Sequence, residues 1–102
     1  MLGYKLVRDC IPAIIEKRGE MPVIAFVPKK ELIIALKIKL LEEASEVQTA
    51  PFDELTEELA DVMEVVHAIA SEAGITKKQI SKVRNEKRRK RGGFKKGILL
   101  KC

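Results

Sequence analysis

Two neighbouring segments of this sequence repeat one pattern, and the pattern is that of an amphipathic α-helix. Residues 40–47 read LLEEASEV and residues 55–62 read LTEELADV, so leucine, paired glutamates and valine recur 15 residues apart. Apolar residues also recur every three or four positions, as they do on one face of a helix. The sequence Thr49-Ala50-Pro51 interrupts this pattern, because the residue before a proline avoids the helical conformation. We therefore expect two long helices, over about residues 30–48 and 53–73, packed antiparallel around a short turn.

The same repeat carries two pairs of acidic side chains. Glu43 and Glu46 lie three residues apart in the first segment, and Glu58 and Asp61 do so in the second. At about 100° per residue, each pair lies at the same edge of its helix's apolar face. If the helices pack through those faces, the four acids converge, and repulsion at ~5 Å costs several kcal/mol unless cations neutralise it. Carboxylate oxygens are hard ligands, which bind Mg²⁺, Mn²⁺ or Ca²⁺. The alternative is that the four acids are solvated surface residues that bind no metal.

Shorter elements are expected at both ends of the chain. Pro12 suits the first turn of a short helix over residues 13–18, and Gly19 can end that helix. Residues 23–27 are rich in β-branched side chains and can form an edge strand that pairs with residues 98–100. The expected fold is therefore mainly α, an antiparallel helical bundle to which a small terminal strand pair is added.

Helix ends can be assigned at three further positions. Asp53 is the expected N-cap of the second long helix, and Gly74 is placed to end it. Thr76 and Gln79 fit a capping box that opens a last helix, which runs to about residue 89. No linker or low-complexity segment divides the chain, and 102 residues suffice for one domain over residues 1–102.

The formal charge of +5 is the sum of a strongly basic segment, residues 82–96, and a remainder of the chain that is weakly acidic. Residues 82–96 hold nine cations and one anion, whereas the other 87 residues hold 11 cations and 14 anions. The cations that share one helix face at i, i+3, i+4 and i+7 are Arg84, Lys87, Arg88 and Arg91. These four, together with Lys5 and Arg8, are candidates for contacts with substrate phosphates. The alternatives for the basic segment are a solvated helix or a nucleic-acid contact.

Composition limits the cellular setting. No apolar signal region opens the chain, and Lys37 and Lys39 interrupt its most apolar stretch, so no bilayer span is expected. Cys10 and Cys102 form no framework spacing, which favours a reducing cytoplasm. Only three residues are Asn or Gln while 34% are charged, a balance typical of thermophiles.

The acidic spacing resembles a known signature. Glu43-x-x-Glu46, eleven residues, then Glu58-x-x-Asp61 is similar to the metal-binding pattern of the all-α nucleotide pyrophosphohydrolases. This MazG-like superfamily includes phosphoribosyl-ATP pyrophosphohydrolase and the dimeric dUTPases. The residues YKLVRD at 4–9 and KRGGF at 90–94 resemble the start and end of one small MazG-like subfamily, so the likeness spans about residues 4–100. Cys10 departs from that subfamily, which more often has a cation there.

The resemblance implies hydrolysis of a nucleoside triphosphate between its α- and β-phosphates, giving a monophosphate and pyrophosphate. Several members act on non-standard nucleotides in a house-cleaning role. The four acids would hold Mg²⁺, with Mn²⁺ as a substitute, and Glu46 or Glu43 would orient or deprotonate the attacking water. Two alternatives stay open: a nucleic-acid-binding module that uses the basic helix, and a non-enzymatic helical interaction protein.

A second apolar stripe predicts self-association. Ile34, Ile38 and Leu41 lie on the first long helix, opposite its main apolar face. Burial of both faces requires a second subunit, so we expect a homo-oligomer, a dimer or a tetramer.

Overall fold

A computed structural model describes residues 3–101 and contains four α-helices. Helix α1 spans Ile11–Lys17, α2 spans Leu32–Thr49, α3 spans Leu55–Glu72 and α4 spans Lys77–Arg91. Single 3₁₀ turns at Lys29–Glu31 and Phe52–Glu54 lead into α2 and α3. The mainly α fold is confirmed. The strand pair is wrong, because residues 23–27 and 98–100 are not strands and no strand occurs within residues 3–101.

Local sequence explains where the long helices begin and end. Ala50 is extended (φ −69°, ψ 137°) ahead of Pro51, so α2 stops at Thr49. The expected N-cap role of Asp53 is wrong: Asp53 lies within a 3₁₀ turn, and Glu54 caps α3 without a side-chain hydrogen bond. Pro51 precedes that turn, which supplies the first backbone bonds instead. At the other end of α3, Gly74 adopts φ +72°, as a left-handed C′ residue does.

Helix α4 has the cap that the sequence predicts. The Thr76 hydroxyl accepts a hydrogen bond from the Gln79 backbone N–H at 3.1 Å, and the Gln79 side chain accepts one from the Thr76 N–H at 2.8 Å. The helix runs on to Arg91 and ends at Gly92, where φ is +80°. This cap fixes where α4 begins, independently of any packing against the other helices.

Helices α2 and α3 pack against each other and form a hairpin, residues 32–72, which is the main tertiary contact of the chain. Because the two helices run antiparallel around position 52, residues whose numbers sum to about 104 face each other. Glu43 therefore lies opposite Asp61, and Glu46 lies opposite Glu58. The buried apolar side chains of the described residues also belong to this hairpin: Leu36 on α2, Val65 and Ala70 on α3.

The chain is more extended than a compact monomer of its size. Its radius of gyration is 17.2 Å, against about 13 Å for a compact domain of 100 residues. Its accessible surface is 9549 Å², against about 5,800 Å² for a folded monomer of this mass. None of the helices within residues 3–101 is long and apolar enough to cross a bilayer.

Candidate metal centre

The hairpin brings three of the predicted acids into one cluster. One carboxylate oxygen from each of Glu43, Glu58 and Asp61 lies within 4.8 Å of the other two. All three side chains are half-buried, because they lie at the edge of the contact between α2 and α3. We call this edge, with Glu46 included, the acidic edge. The two matched acid pairs of the sequence meet here because the turn at residues 50–54 places them in antiparallel register.

Glu46 lies outside the three-oxygen cluster but close to it. The pKa of Glu58 is raised above its ordinary value of 4.5. Partial desolvation is the largest cause, and the negative charges of Glu46, Asp61 and Glu43 follow in that order. The charge of Glu46 therefore acts on Glu58 across the hairpin, as its position opposite Glu58 requires. The charges of the other three predicted acids therefore all act on Glu58.

Two basic side chains partly neutralise the acidic edge. The Arg8 guanidinium Nη2 lies 2.6 Å from Asp61 Oδ1. Lys39 Nζ lies 3.3 Å from Glu43 Oε1 and 3.2 Å from Glu42 Oε2. Burial alone would lower the pKa of Lys39, but the hydrogen bonds and charges of Glu42 and Glu43 outweigh it and raise that pKa above 10.5. Each cation therefore holds one carboxylate of the cluster in place.

A cleft adjoins the cluster and runs along the hairpin. It encloses about 720 Å³ between α2, α3 and residues 5–11 of the N-terminal segment. Its lining includes Glu43 and Asp61 at the acidic edge and the cations Lys5, Arg8 and Lys39. Near the opposite end of the hairpin, Lys29 Nζ pairs with Glu72 Oε1 at 2.9 Å. The cleft therefore combines carboxylate oxygens with cations in a volume typical of small-molecule sites.

The acidic cluster fits a divalent metal ion. Three carboxylates supply hard oxygen donors, which is the ligand type that Mg²⁺ and Mn²⁺ prefer. Oxygens around one octahedral Mg²⁺ lie about 3.0 Å apart when adjacent and about 4.2 Å apart when opposite. The three carboxylate oxygens lie within 4.8 Å of one another, so side-chain movements of about 1–2 Å bring them to those distances. Arg8 and Asp61 are both partly solvent-exposed, so their ion pair can open without breaking a packed core.

Comparison of the chain with protein-family models, curated proteins and solved structures finds no match. The geometry of the acidic edge and the sequence pattern that produces it therefore indicate the function.

The predicted phosphate-binding cations divide into two groups in the structure. Lys5 and Arg8 line the cleft beside the acidic edge. Arg84 and Lys87 line a separate shallow hollow of about 600 Å³, formed by α4 and the turn before it. Arg88 and Arg91 are exposed on α4. Within residues 3–101, none of these four α4 cations makes an ion pair with the acidic edge.

Sequence reasoning missed one residue of this site, Lys39. Lys39 lies at i, i+4 from Glu43 and at i, i+3 from Glu42, so the spacing of ion pairs on a helix was a sufficient signal for it. Glu42 lies next to Glu43 on α2 and shares the Lys39 ammonium with it. The pairing of Arg8 with Asp61 joins positions 53 residues apart, and no periodicity in the sequence predicts a contact of that range.

Proposed function

We propose that this chain is a Mg²⁺-dependent nucleoside triphosphate pyrophosphohydrolase that cleaves between the α- and β-phosphates. One observation carries the proposal: the carboxylate oxygens of Glu43, Glu58 and Asp61 lie within 4.8 Å of one another beside a cleft that also presents cations. Metal-binding carboxylates next to phosphate-binding cations are what a metal–triphosphate substrate requires. The acidic spacing that resembles the MazG-like signature supports the same reaction.

Glu43, Glu58 and Asp61 would hold the metal, and Glu46 lies next to them. When bound, Mg²⁺ supplies Lewis-acid polarisation of phosphoryl oxygens and a lowered pKa for a coordinated water; Mn²⁺ can supply the same chemistry. Desolvation and the negative charges of its acidic neighbours raise the pKa of Glu58, and a divalent cation would offset those charges. Lys39 positions Glu43 through its ammonium group.

Glu46 is the base in this proposal. It is the one acid of the four that lies outside the three-oxygen cluster, so its carboxylate is free to take a proton from water. The water oxygen bonds to the α-phosphorus, and the bond from that phosphorus to the bridging oxygen breaks. Pyrophosphate leaves with the bridging oxygen, and the nucleoside monophosphate keeps the water oxygen. Glu43 is the alternative base if Glu46 ligates the metal instead.

Arg8 and Lys5 are the phosphate-binding cations of the same chain. Both lie in the cleft next to the acidic edge, and a guanidinium can bind two phosphate oxygens at once. Arg8 now pairs with Asp61, so metal binding at Asp61 would release Arg8 towards a substrate phosphate. The cleft of about 720 Å³ accommodates a nucleotide.

We further propose that the chain is a homo-oligomer. Ile34, Ile38 and Leu41 on α2 are more than half exposed, and the accessible surface exceeds that of a compact monomer by about 3,700 Å². Burial of apolar surface contributes about 25 cal/mol per Å², so packing these three side chains against a second copy would be favourable. A monomeric profile in sedimentation velocity at micromolar concentration would contradict this part of the proposal.

The reaction is tested by pyrophosphate release. Purified protein is incubated with Mg²⁺ and a panel of standard and chemically modified nucleoside triphosphates. We expect release of pyrophosphate and monophosphate in equal amounts, and its loss in Glu43→Gln and Asp61→Asn. Glu57→Gln is the matched control, because Glu57 is an exposed neighbour of Glu58 outside the cluster. Release of inorganic phosphate instead, or no turnover of any nucleotide, would contradict the proposal.

A further inference from the structure

Helix α4 packs only slightly against the rest of its chain. Of residues 77–91, only Ile80 is half-buried, and the others are exposed. Ile80 and Val83 line the shallow hollow between α4 and the turn that contains Gly74 and Ile75. Within residues 3–101 no hydrogen bond or ion pair joins an α4 side chain to the hairpin. Apart from the side of Ile80 and Val83, the helix is therefore open to a partner.

The cations of α4 have no acidic partner in the described part of the chain. The helix carries nine cations and Glu86, a net charge of +8. None of the nine forms an ion pair within residues 3–101. Helix α4 is about 22 Å long, and a DNA duplex carries about 13 phosphate charges along that length of its axis. A polyanion with closely spaced charges therefore complements α4.

The cations form two stripes on either side of a small polar face. At about 100° per residue, Ser81 and Asn85 share this polar face, while Ile80 and Val83 lie on the other side of the helix. One stripe lies about 40–100° to one side of the polar face, and the other lies about 40–80° to the opposite side. The first stripe and then the second consist of Lys77, Arg84, Arg88 and Arg91, and of Lys78, Lys82 and Arg89.

This arrangement fits the major groove of B-form DNA. An α-helix with its side chains is about 10–12 Å across, and that groove is about 12 Å wide. A helix in the groove has one phosphate backbone on each side and the base edges beneath it. The two stripes match the two backbones, and the small side chains of Ser81 and Asn85 allow a close approach to the bases.

Two other polyanions fit α4 less well. The major groove of A-form RNA is deep and narrow, so a helix with its side chains does not enter it. An anionic lipid surface takes up the apolar face of an amphipathic helix. The two apolar residues of α4, Ile80 and Val83, line the hollow beside the preceding turn and lie away from the polar face. Duplex DNA is therefore the partner that the charges and the shape favour.

We infer that α4 binds duplex DNA in the major groove, with its polar face towards the bases and its two stripes on the two phosphate backbones. Most of the affinity is electrostatic and independent of base sequence. Asn85 reaches a base edge, since a carboxamide can pair with adenine. The hairpin, residues 32–72, has ten acids and two lysines, so the phosphates repel it and the contact is confined to α4. The inference does not depend on the proposed function, because it uses neither the acidic edge nor the cleft.

Fluorescence anisotropy of a labelled DNA duplex of mixed sequence tests the binding without using activity. The full chain is titrated at several salt concentrations between about 50 and 200 mM. A chelator is present, so that no metal at the acidic edge bridges to a phosphate. We expect saturable binding whose logarithmic dependence on salt has a slope of about −6, because the seven cations of the stripes each contribute about −0.9. No binding at about 50 mM salt would overturn the inference.

A triple variant tests the second stripe, which is the stripe with no candidate role in the proposed active site. Lys78→Gln, Lys82→Gln and Arg89→Gln together should make the slope shallower by about 2.7, and glutamine keeps a good helix propensity. The matched control changes three exposed cations outside α4: Lys17→Gln, Arg18→Gln and Lys30→Gln. Circular dichroism confirms that both variants keep their helices. Equal slopes for the triple variant and the wild type, or equal losses in the variant and the control, would overturn the inference.

A single substitution separates groove binding from a diffuse attraction. Asn85→Glu puts a carboxylate on the polar face, and Lys90→Gln makes the same change of charge on another side of α4. We expect Asn85→Glu to weaken DNA binding at least tenfold more than Lys90→Gln. Equal effects would overturn the placement in the groove.

Other polyanions decide between the possible partners. We expect an RNA duplex of the same sequence to bind at least tenfold more weakly than the DNA, and equal or tighter binding of the RNA would overturn the inference. Binding of phosphatidylglycerol vesicles without binding of the DNA would assign α4 to a lipid surface instead. Pyrophosphate release by a chain that binds no DNA would leave the proposed function supported and overturn this inference alone.

Discussion

The hairpin and α4 are both helical, but different interactions hold them. Leu36, Val65 and Ala70 are buried in the contact of α2 with α3, so tertiary packing stabilises the hairpin. Helix α4 depends on the capping box of Thr76 and Gln79 and on local propensity. A helix of 15 residues is marginal in water by those means alone, and nine cations along it repel one another. Helix α4 is therefore a positively charged helix with little packing, whereas packing holds the hairpin together despite its ten acids.

The largest effect is expected in the core of the hairpin. Leu36→Ala removes a side chain that is 7% exposed, and such a truncation costs about 2–5 kcal/mol in the free energy of unfolding. On α4, Ser81→Ala at an exposed position changes that free energy by about 0.5 kcal/mol or less. Urea unfolding at one fixed chain concentration measures both. Equal losses for the two variants would contradict the claim that packing stabilises the hairpin and not α4.

Arg8→Ala separates the phosphate role of Arg8 from metal binding. Loss of a charged hydrogen bond costs about 1.5–3 kcal/mol, so we expect the KM for the nucleoside triphosphate to rise about ten- to a hundredfold. The Kd for Mn²⁺ should not rise, because Arg8 competes with the metal for Asp61 and does not ligate it. Arg18→Ala, at an exposed position just after α1, is the control. A weaker metal affinity with an unchanged KM would reverse the assignment.

Thr76→Ala acts on α4 alone. Loss of the N-cap side chain costs about 1 kcal/mol of local helix stability, which lowers the protection of α4 amides about fivefold in hydrogen exchange. The amides of the hairpin should keep their protection. Thr56→Ala, an exposed threonine in the first turn of α3, is the control and should leave α4 unchanged. A loss of protection that spreads through the hairpin would show that the two regions unfold together.

The smallest effect is expected at the acidic edge. Without divalent metal, Glu58→Gln should raise the Tm, because it removes a carboxylate whose pKa is raised by desolvation and by its acidic neighbours. The charged form of Glu58 destabilises the folded state, so the gain is present at neutral pH. It disappears as the pH falls through the pKa of Glu58 towards 4.5, the ordinary value. Added Mg²⁺ should reverse the order and stabilise the wild type more than the variant.

For the Glu58 prediction, Glu57→Gln is the matched control, since it removes an equal charge one residue away on the exposed side of α3. A similar rise of the Tm in both variants would indicate a general charge effect and would contradict a repulsive cluster at the acidic edge.

Periodicity in the sequence was enough to predict the hairpin and its acids. The 15-residue repeat placed Glu43, Glu46, Glu58 and Asp61 at equivalent edges of two helices, and the structure brings their charges together. The capping box of Thr76 and Gln79 could also be predicted from the sequence, because it depends on residues three positions apart. These features succeed because helix geometry relates near neighbours in sequence.

Features that depend on distant contacts or on competing turns were not predictable. Arg8 reaches Asp61 only because the N-terminal segment folds back along the hairpin. The strand expected at residues 23–27 fails because β-propensity acts only where a neighbouring strand is present, and residues 98–100 supply none. Asp53 loses its capping role because a 3₁₀ turn after Pro51 supplies the first bonds of α3 instead.

Metal binding at the acidic edge is the central claim, and titration with Mn²⁺ followed by electron paramagnetic resonance tests it most directly. We expect the wild-type chain to bind Mn²⁺ saturably and Mg²⁺ to displace it. Asp61→Asn should abolish the binding, and Glu57→Gln should retain it. Unsaturable binding by the wild type, or equal binding by Asp61→Asn, would contradict the account.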